Sequence, residues 1–124
     1  MNDEEHKIQC ACVKWFAYQY PELAGLLFAV PNGGARSKAT AGKLKAEGVV
    51  AGVSDLILLV PVVHHTPNEM IVRHGLCLEA KRKRGYQSPE QKAWQAKVES
   101  WCYEYAIFRS LDDFINIINA YLNK

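Results

Sequence analysis

The feature that most constrains the fold is a pair of apolar segments joined by a polar stretch. The run LILLVPVV at 56–63 is rich in branched apolar residues, as in a buried strand, although Pro61 implies an edge or a bend. The stretch HHTPNEM at 64–70 predicts a connecting loop, and residues 71–81 predict a second strand. Together the two segments predict an antiparallel hairpin with a longer loop.

Helical and extended patterns precede this hairpin. Residues 3–20 predict a helix because apolar side chains recur every four positions. The segment 26–30 predicts a short strand that ends in the turn sequence PNGG at 31–34. Residues 36–47 predict a helix with basic residues on one side and Gly48 as its C-cap. The apolar positions of the first helix are Ile8, Cys12, Phe16 and Tyr20.

After the hairpin, Ser88 predicts a helix start, with Pro89 in its first position and Gln91 placed for a capping box. Residues 106–108 predict a short strand, and Ser110 caps a final helix. This order of elements predicts an α/β sandwich around a mixed sheet. The apolar stripe predicted for the helix after Ser88 consists of Trp94, Val98, Trp101 and Tyr105.

Composition limits the class of protein. The 124 residues fit one domain, and 49% hydrophobic with 23% charged residues is typical of a soluble globular chain. The N-terminus is acidic, and no apolar run approaches the roughly 20 residues of a membrane span, so we expect a cytoplasmic protein without membrane contact. The four cysteines form no CxxC pair, which favours buried or half-buried thiols without function over a zinc site.

The chemistry concentrates in LCLEAKRKR. The two-residue period of a strand puts Glu79 and Lys81 on one face and Ala80 on the other. The apolar residues before Glu79 imply burial, and a buried acid requires a partner or a metal. Asp55, which begins the neighbouring strand after the turn GVSD at 52–55, is the nearest candidate to stand beside Glu79.

Two carboxylates and a lysine suit phosphodiester hydrolysis, because hard oxygen ligands hold Mg²⁺ or Mn²⁺. Lys81 would orient the attacking water or stabilise the pentavalent phosphate, and the Ala80 carbonyl is a further metal ligand of the usual kind. A buried Glu–Lys or Asp–Lys pair that only fixes the sheet explains the spacing equally well. The pattern D…ExK is too short to decide.

A longer ordered series of motifs resembles the VRR-NUC family of the PD-(D/E)XK nuclease superfamily. The resemblance covers nearly the whole chain, and implies a restriction-endonuclease-like α/β sandwich with a central mixed sheet flanked by helices, as a single domain over 1–124. The motifs are E-x-x-I-Q at 5–9, PNGGAR at 31–36, G-V-x-x-G-V-S-D at 48–55, L-E-A-K at 78–81 and S-P-E-Q-x-x-W at 88–94.

The resemblance implies that Asp55 and Glu79 bind the metal, that Lys81 is the catalytic lysine, that Glu5 is an additional acid, and that Gln91 completes the site. Glu5 lies three residues before Ile8 on the inward side of its helix, but it also suits a first-turn acid favoured by the helix dipole. Gln91 would equally close a capping box.

The sequence departs from the family pattern at Ser54, where a proline commonly stands before the catalytic acid. We expect the serine to loosen the turn without removing a ligand.

Two basic segments would hold DNA. The net charge of +2 is too small to indicate a nucleic-acid partner, but its distribution is more informative. Arg36 and Lys38 follow two glycines that let backbone and substrate approach closely, which makes Arg36 the best candidate for a phosphate contact. Such contacts give affinity without reading sequence. The second segment, directly after the strand with Glu79, is Arg82, Lys83 and Arg84.

Three functions follow from these observations. The first is a metal-dependent, structure-selective endonuclease that acts on four-way (Holliday) junctions as a homodimer, because members of the VRR-NUC family that consist of little more than the nuclease module resemble homodimeric junction resolvases. The second is a nuclease acting on flaps, ends or duplex DNA. The third is a nuclease-like module that binds nucleic acid without cutting it, with the acids kept as ion pairs.

Overall fold

The computed structural model describes residues 1–31 and 37–123, in which helices and strands follow the predicted order. The helices are α1 (Asp3–Gln19), α2 (Lys38–Ala46), α3 (Pro89–Ser100) and α4 (Leu111–Leu122), with a 3₁₀ turn at Pro21–Leu23. The strands are β1 (Leu27–Ala29), β2 (Leu56–Leu58), β3 (Val62–His65), β4 (Met70–Arg73), β5 (Leu76–Ala80) and β6 (Glu104–Phe108). The predicted α/β class is confirmed.

The predicted hairpin forms, but it divides between two sheets. Its inner half, β2 with β5, lies in a four-stranded sheet of order β1-β2-β5-β6, in which only the β5–β6 pair is parallel among the described residues. Its outer half, β3 with β4, is a separate antiparallel ribbon. The break follows from Pro61, which has no N–H for a ladder hydrogen bond. The predicted loop at 64–70 is therefore wrong at its ends, where His64, His65 and Met70 belong to the ribbon.

Helices cover the four-stranded sheet on both faces, as a sandwich requires. One face packs against α1 and α4, and forms the core. The other carries Tyr105 of β6, whose ring meets Trp94 of α3 edge to face. Alternation along β5 divides its residues between these two faces. The fully buried core residues are Cys12, Leu56, Leu58, Leu76, Leu78, Ala80, Phe108, Phe114 and Ile118.

The helix starts form as the sequence predicts. Ser88 and Gln91 make a reciprocal capping box at α3, and the Ser110 hydroxyl accepts the Asp113 N–H at α4. The predicted stripe of α3 is wrong at its end, because Trp101 is 70% exposed and Tyr105 lies in β6, which begins earlier than predicted. Cys10 and Cys102 are exposed, whereas Cys12 and Cys77 are buried as expected.

No helix within the described ranges is long and apolar enough to span a membrane.

Candidate active site

The paired ends of β2 and β5 bring Asp55, Glu79 and Lys81 together. Leu56 of β2 lies opposite Leu78 of β5, which places Asp55 beside the end of β5. Asp55 Oδ2 accepts the Ala80 N–H at 2.8 Å. Lys81 Nζ lies 3.9 Å from Glu79 Oε2, so the two side chains share a face as the strand period predicts. The hairpin thus positions two acids and a lysine within one cluster.

Gln91 joins this cluster from the first turn of α3. Its Nε2 donates to Glu79 Oε2 at 2.8 Å, while its Oε1 accepts the Ser88 N–H at 2.8 Å. The capping-box role and the site role suggested by the sequence are therefore compatible, because each uses a different end of the same amide.

Tyr105 is a site residue that sequence reasoning missed. Its hydroxyl donates to Glu79 Oε1 at 3.3 Å and is itself reached by Gln87 Nε2 at 3.3 Å. Both oxygens of Glu79 are therefore occupied by hydrogen-bond donors. The sequence gives only a weak indication of this role. A tyrosine in an apolar pattern is expected to be buried, and a buried hydroxyl needs a hydrogen-bond partner. The partner itself depends on the β5–β6 register, which puts Tyr105 opposite Cys77.

The electrostatics of the cluster centre on Glu79, which is 2% exposed. Burial, and then the nearby Asp55 carboxylate, raise the pKa of Glu79 to about 8, although Lys81 and the Tyr105 hydrogen bond pull it down. The effect of Lys81 on the pKa of Glu79 is therefore smaller than the combined effect of burial and Asp55. A further positive charge beside the two carboxylates would favour their ionised forms.

A cavity of about 420 Å³ opens onto these side chains, and it is also lined by Gln9, whose amide oxygen is buried. Gln9 Oε1 has no hydrogen-bond partner among residues 1–31 and 37–123. A buried carbonyl oxygen is normally satisfied, so a water, a cation or a substrate donor fits here. The polar lining residues are Glu5, Gln9, Asp55, Glu79, Lys81 and Gln91.

Glu5 lines this cavity but makes a different contact from the one implied by the resemblance. Within the described part of the chain, no three His, Cys, Asp or Glu side chains stand close enough to share a metal ion. Glu5 is thus not grouped with Asp55 and Glu79 in this conformation. Its Oε2 instead accepts the Arg82 N–H at 3.1 Å.

The turn before Asp55 is held by a side-chain hydrogen bond and by close packing against α3. Ser54 is fully buried, and its hydroxyl donates to the Leu56 carbonyl at 3.0 Å, a bond that a proline would lack. Gly52 has a φ of +87°, and a Cβ there would overlap the Glu90 carbonyl. This segment packs directly against the start of α3, and a looser turn than one with proline stays a prediction.

The structure describes four of the five predicted DNA-binding residues. Arg82, Lys83 and Arg84 are exposed directly after strand β5 and Lys81, and Lys38 is exposed at the first residue of α2. Arg36 lies outside the described residues.

The comparisons with known proteins address the fold. A scan against models of protein families finds no match, and a search of curated proteins finds none either. Among solved structures, one described as "VRR_NUC domain protein" matches with a TM-score of 0.77 and 24% identity, covering 99% of this chain and 91% of that one. The mixed four-stranded sheet flanked by helices is therefore the fold of that protein, which confirms the predicted fold class.

Proposed function

We propose that this chain is a metal-dependent nuclease that hydrolyses phosphodiester bonds in DNA. The observation that carries the proposal is the cluster of Asp55, Glu79 and Lys81 at the paired strand ends, open to a cavity, in a chain with the fold of a VRR-NUC domain protein. A buried ion pair alone would need one acid and one lysine. The second acid exceeds that requirement, and burial leaves Glu79 with a raised pKa.

The donor set suits a hard divalent cation. The Asp55 and Glu79 carboxylates, which line the cavity, would hold Mg²⁺ or Mn²⁺ with the Ala80 carbonyl as a further ligand. Gln9 lines the same cavity, and its Oε1 has no partner among the described residues. The ion would neutralise charge on the scissile phosphate and make water a stronger nucleophile near neutral pH. Substrate oxygens and water would complete the coordination, as is usual for Mg²⁺.

The protein's own groups orient the reaction. Gln91 and Tyr105 hold the two oxygens of Glu79, and the Ala80 N–H holds one oxygen of Asp55, so neither acid can rotate freely. Loss of a group that orients a metal ligand in this way commonly lowers metal affinity or activity by about 10–100-fold. Lys81 has its ammonium next to Glu79, where it can orient water or stabilise charge on the phosphate.

The substrate we propose is branched DNA, with four-way junctions first, cut by a homodimer. Arg82, Lys83, Arg84 and Lys38, with Arg36, would contact phosphates without reading sequence. A chain of 124 residues offers little surface for a large junction, and two copies supply both a larger surface and one active site per strand. Flaps, ends and simple duplexes are the alternative substrates.

A cleavage assay tests the proposal. Labelled four-way junction, flap and linear duplex are incubated with purified protein and Mg²⁺ or Mn²⁺, with EDTA as the blank. We expect the wild type to cut the junction, and Glu79→Gln and Lys81→Ala to lose cleavage by roughly a thousandfold, since charge stabilisation at such centres is worth several kcal/mol. The matched controls are Glu22→Gln and Lys97→Ala, at exposed positions outside the cavity.

The same assay separates the alternatives. Cleavage that persists in both site variants contradicts the mechanism, and tight binding without wild-type cleavage favours a non-catalytic module. Preference for flap or duplex replaces the junction as substrate. Light scattering that shows a persistent monomer argues against the homodimer.

A further inference from the structure

The turn at residues 82–85, here called the basic turn, is tied to the N-terminus of α1 through its backbone. The Arg82 N–H donates to Glu5 Oε2 at 3.1 Å, and the Lys83 N–H donates to Glu4 Oε2 at 3.4 Å. The turn closes on itself where the Gly85 N–H reaches the Arg82 carbonyl at 3.0 Å. Three of the four amides of the basic turn thus donate to a carboxylate or to a carbonyl of the protein.

Arg109 holds the same turn from the opposite side. Its Nη1 donates at 2.9 Å to both the Arg82 and Gly85 carbonyls, and lies 3.5 Å from the Lys83 carbonyl. The residue is itself fixed, because its backbone N–H donates to Asp113 Oδ2 at 2.9 Å, at the point where β6 leads into α4. One guanidinium therefore joins two carbonyls of the turn to the body of the fold.

These contacts occupy the backbone and leave the basic side chains to solvent. Arg82, Lys83 and Arg84 are exposed, and none of them forms a salt bridge with any described residue. The carboxylates that would most readily neutralise them, Glu4 and Glu5, are engaged with amides instead. Three unpaired cations are thereby presented on a braced turn, next to Lys81.

We propose that Arg109 is a positioning residue, which with Glu4 and Glu5 braces the basic turn so that its three cations are pre-organised for DNA phosphates. The inference rests on the proposed function, because that function gives DNA as the ligand of the turn. A braced turn loses little conformational freedom on binding, whereas a loose one must be ordered at a cost in affinity. Glu5 then serves the site by holding the DNA-binding turn, and not as a metal ligand.

Two variants separate positioning from charge. Arg109→Lys keeps the positive charge, but its ammonium lies one bond closer to the backbone than Nη1, the atom that makes the carbonyl contacts, and so falls short of them. Arg84→Gln removes one cation and leaves the brace intact. Binding of labelled junction DNA is measured by fluorescence anisotropy in EDTA over a series of salt concentrations, so that no cleavage interferes.

We expect Arg109→Lys to weaken binding by roughly tenfold with an unchanged salt dependence, because the cations remain but must be ordered. For Arg84→Gln we expect the slope of log affinity against log salt to fall by about one. Trypsin should cut the basic turn of Arg109→Lys faster than that of the wild type. Unchanged affinity and unchanged trypsin resistance in Arg109→Lys would overturn the inference.

Amide hydrogen exchange of the wild type tests the brace without any variant. Protection is expected at the amides of Arg82, Lys83 and Gly85, and free exchange at all three overturns the inference even if Arg109→Lys does not fold. The proposed function fails separately, when the wild type neither binds nor cuts DNA. That result would exclude a DNA-binding role for the basic turn. If the wild type binds DNA normally and Arg109→Lys binds with the same affinity, only the bracing role of Arg109 is excluded.

Discussion

The inner and outer halves of one hairpin have very different surroundings. In the inner half, Leu56, Leu58, Leu76 and Leu78 are fully buried, and every residue of β5 is buried. In the outer half, half-buried and exposed positions alternate along both ribbon strands. The inner half lies between helices on both faces, whereas the ribbon is tied to α4 by few contacts, such as His64 Nε2 with the Tyr121 carbonyl. The candidate acids lie beside the inner half, where burial fixes the strands that carry them.

The largest effect expected from this contrast is on stability. Leu78→Ala removes a fully buried side chain from the centre of the sheet and should lower the free energy of unfolding by about 3 kcal/mol. Val72→Ala in the ribbon is the comparison, since Val72 is 37% exposed, and we expect it to cost less than about 1 kcal/mol. Urea denaturation of both variants provides the measurement. Equal losses would show that the two halves unfold as one unit with equal packing.

The second effect is a pH dependence that belongs to the inner half. Because burial and Asp55 raise the pKa of Glu79 from 4.5 to about 8, the native state holds a proton that the unfolded chain releases in that interval. The stability of the metal-free protein should therefore be greatest below pH 4.5, as far as this group contributes, and should fall as the pH rises towards 8.

Urea midpoints in EDTA across that interval test the prediction. Glu79→Gln should flatten the dependence, while Glu99→Gln, at an exposed position of α3, should leave it unchanged. A wild-type stability that rises with pH over the interval contradicts the assignment to Glu79.

The third effect concerns the hydroxyl that holds Glu79. Tyr105→Phe removes the donor to Glu79 Oε1 and keeps the ring packed on Trp94, so cleavage should fall by about tenfold while the thermal midpoint changes little. A higher Mg²⁺ requirement should accompany the loss. Tyr103→Phe is the control, because that ring meets His74 edge to face and does not line the cavity. Equal losses in the two variants would argue against a specific role for Tyr105.

The smallest effect is expected in the ribbon. Val63→Thr changes a side chain that is 40% exposed, and should alter stability by no more than about 0.5 kcal/mol and leave cleavage unchanged. Cleavage rates and denaturation curves measure both quantities. A marked loss of cleavage without loss of stability would show that the ribbon contacts DNA or a second copy, which would end its contrast with the inner half.

The sequence predicts features that depend on local spacing. The helix at 3–20, the capping box at Ser88 and the shared face of Glu79 and Lys81 follow from periods of 3.6 and 2. The pairing of Asp55 with this face follows from the hairpin. These patterns suffice for the centre of the candidate site.

Features that depend on contacts between distant segments are not visible in the spacing. The division of the hairpin into a sheet and a separate ribbon is one such feature, because Pro61 by itself indicates only an edge or a bend in the sequence. The contact of Tyr105 with Glu79 requires the parallel β5–β6 register, and that of Glu5 with Arg82 requires the docking of α1. Asp55 was predictable because its strand and the partner strand belong to one continuous hairpin, and Tyr105 was not because α3 separates β6 from β5 in the chain.

Gln91 links the formation of α3 to the orientation of Glu79. The same amide completes the first turn of α3 and holds Glu79, so winding that turn and orienting the acid are a single event. A nascent or half-folded copy would carry its acids on separate, unoriented segments and would be harmless to nearby DNA. Any hydrolytic capacity of the chain should therefore be greatest when its fold is complete, and fraying at the start of α3 should lower it by releasing one of the two donors that hold Glu79.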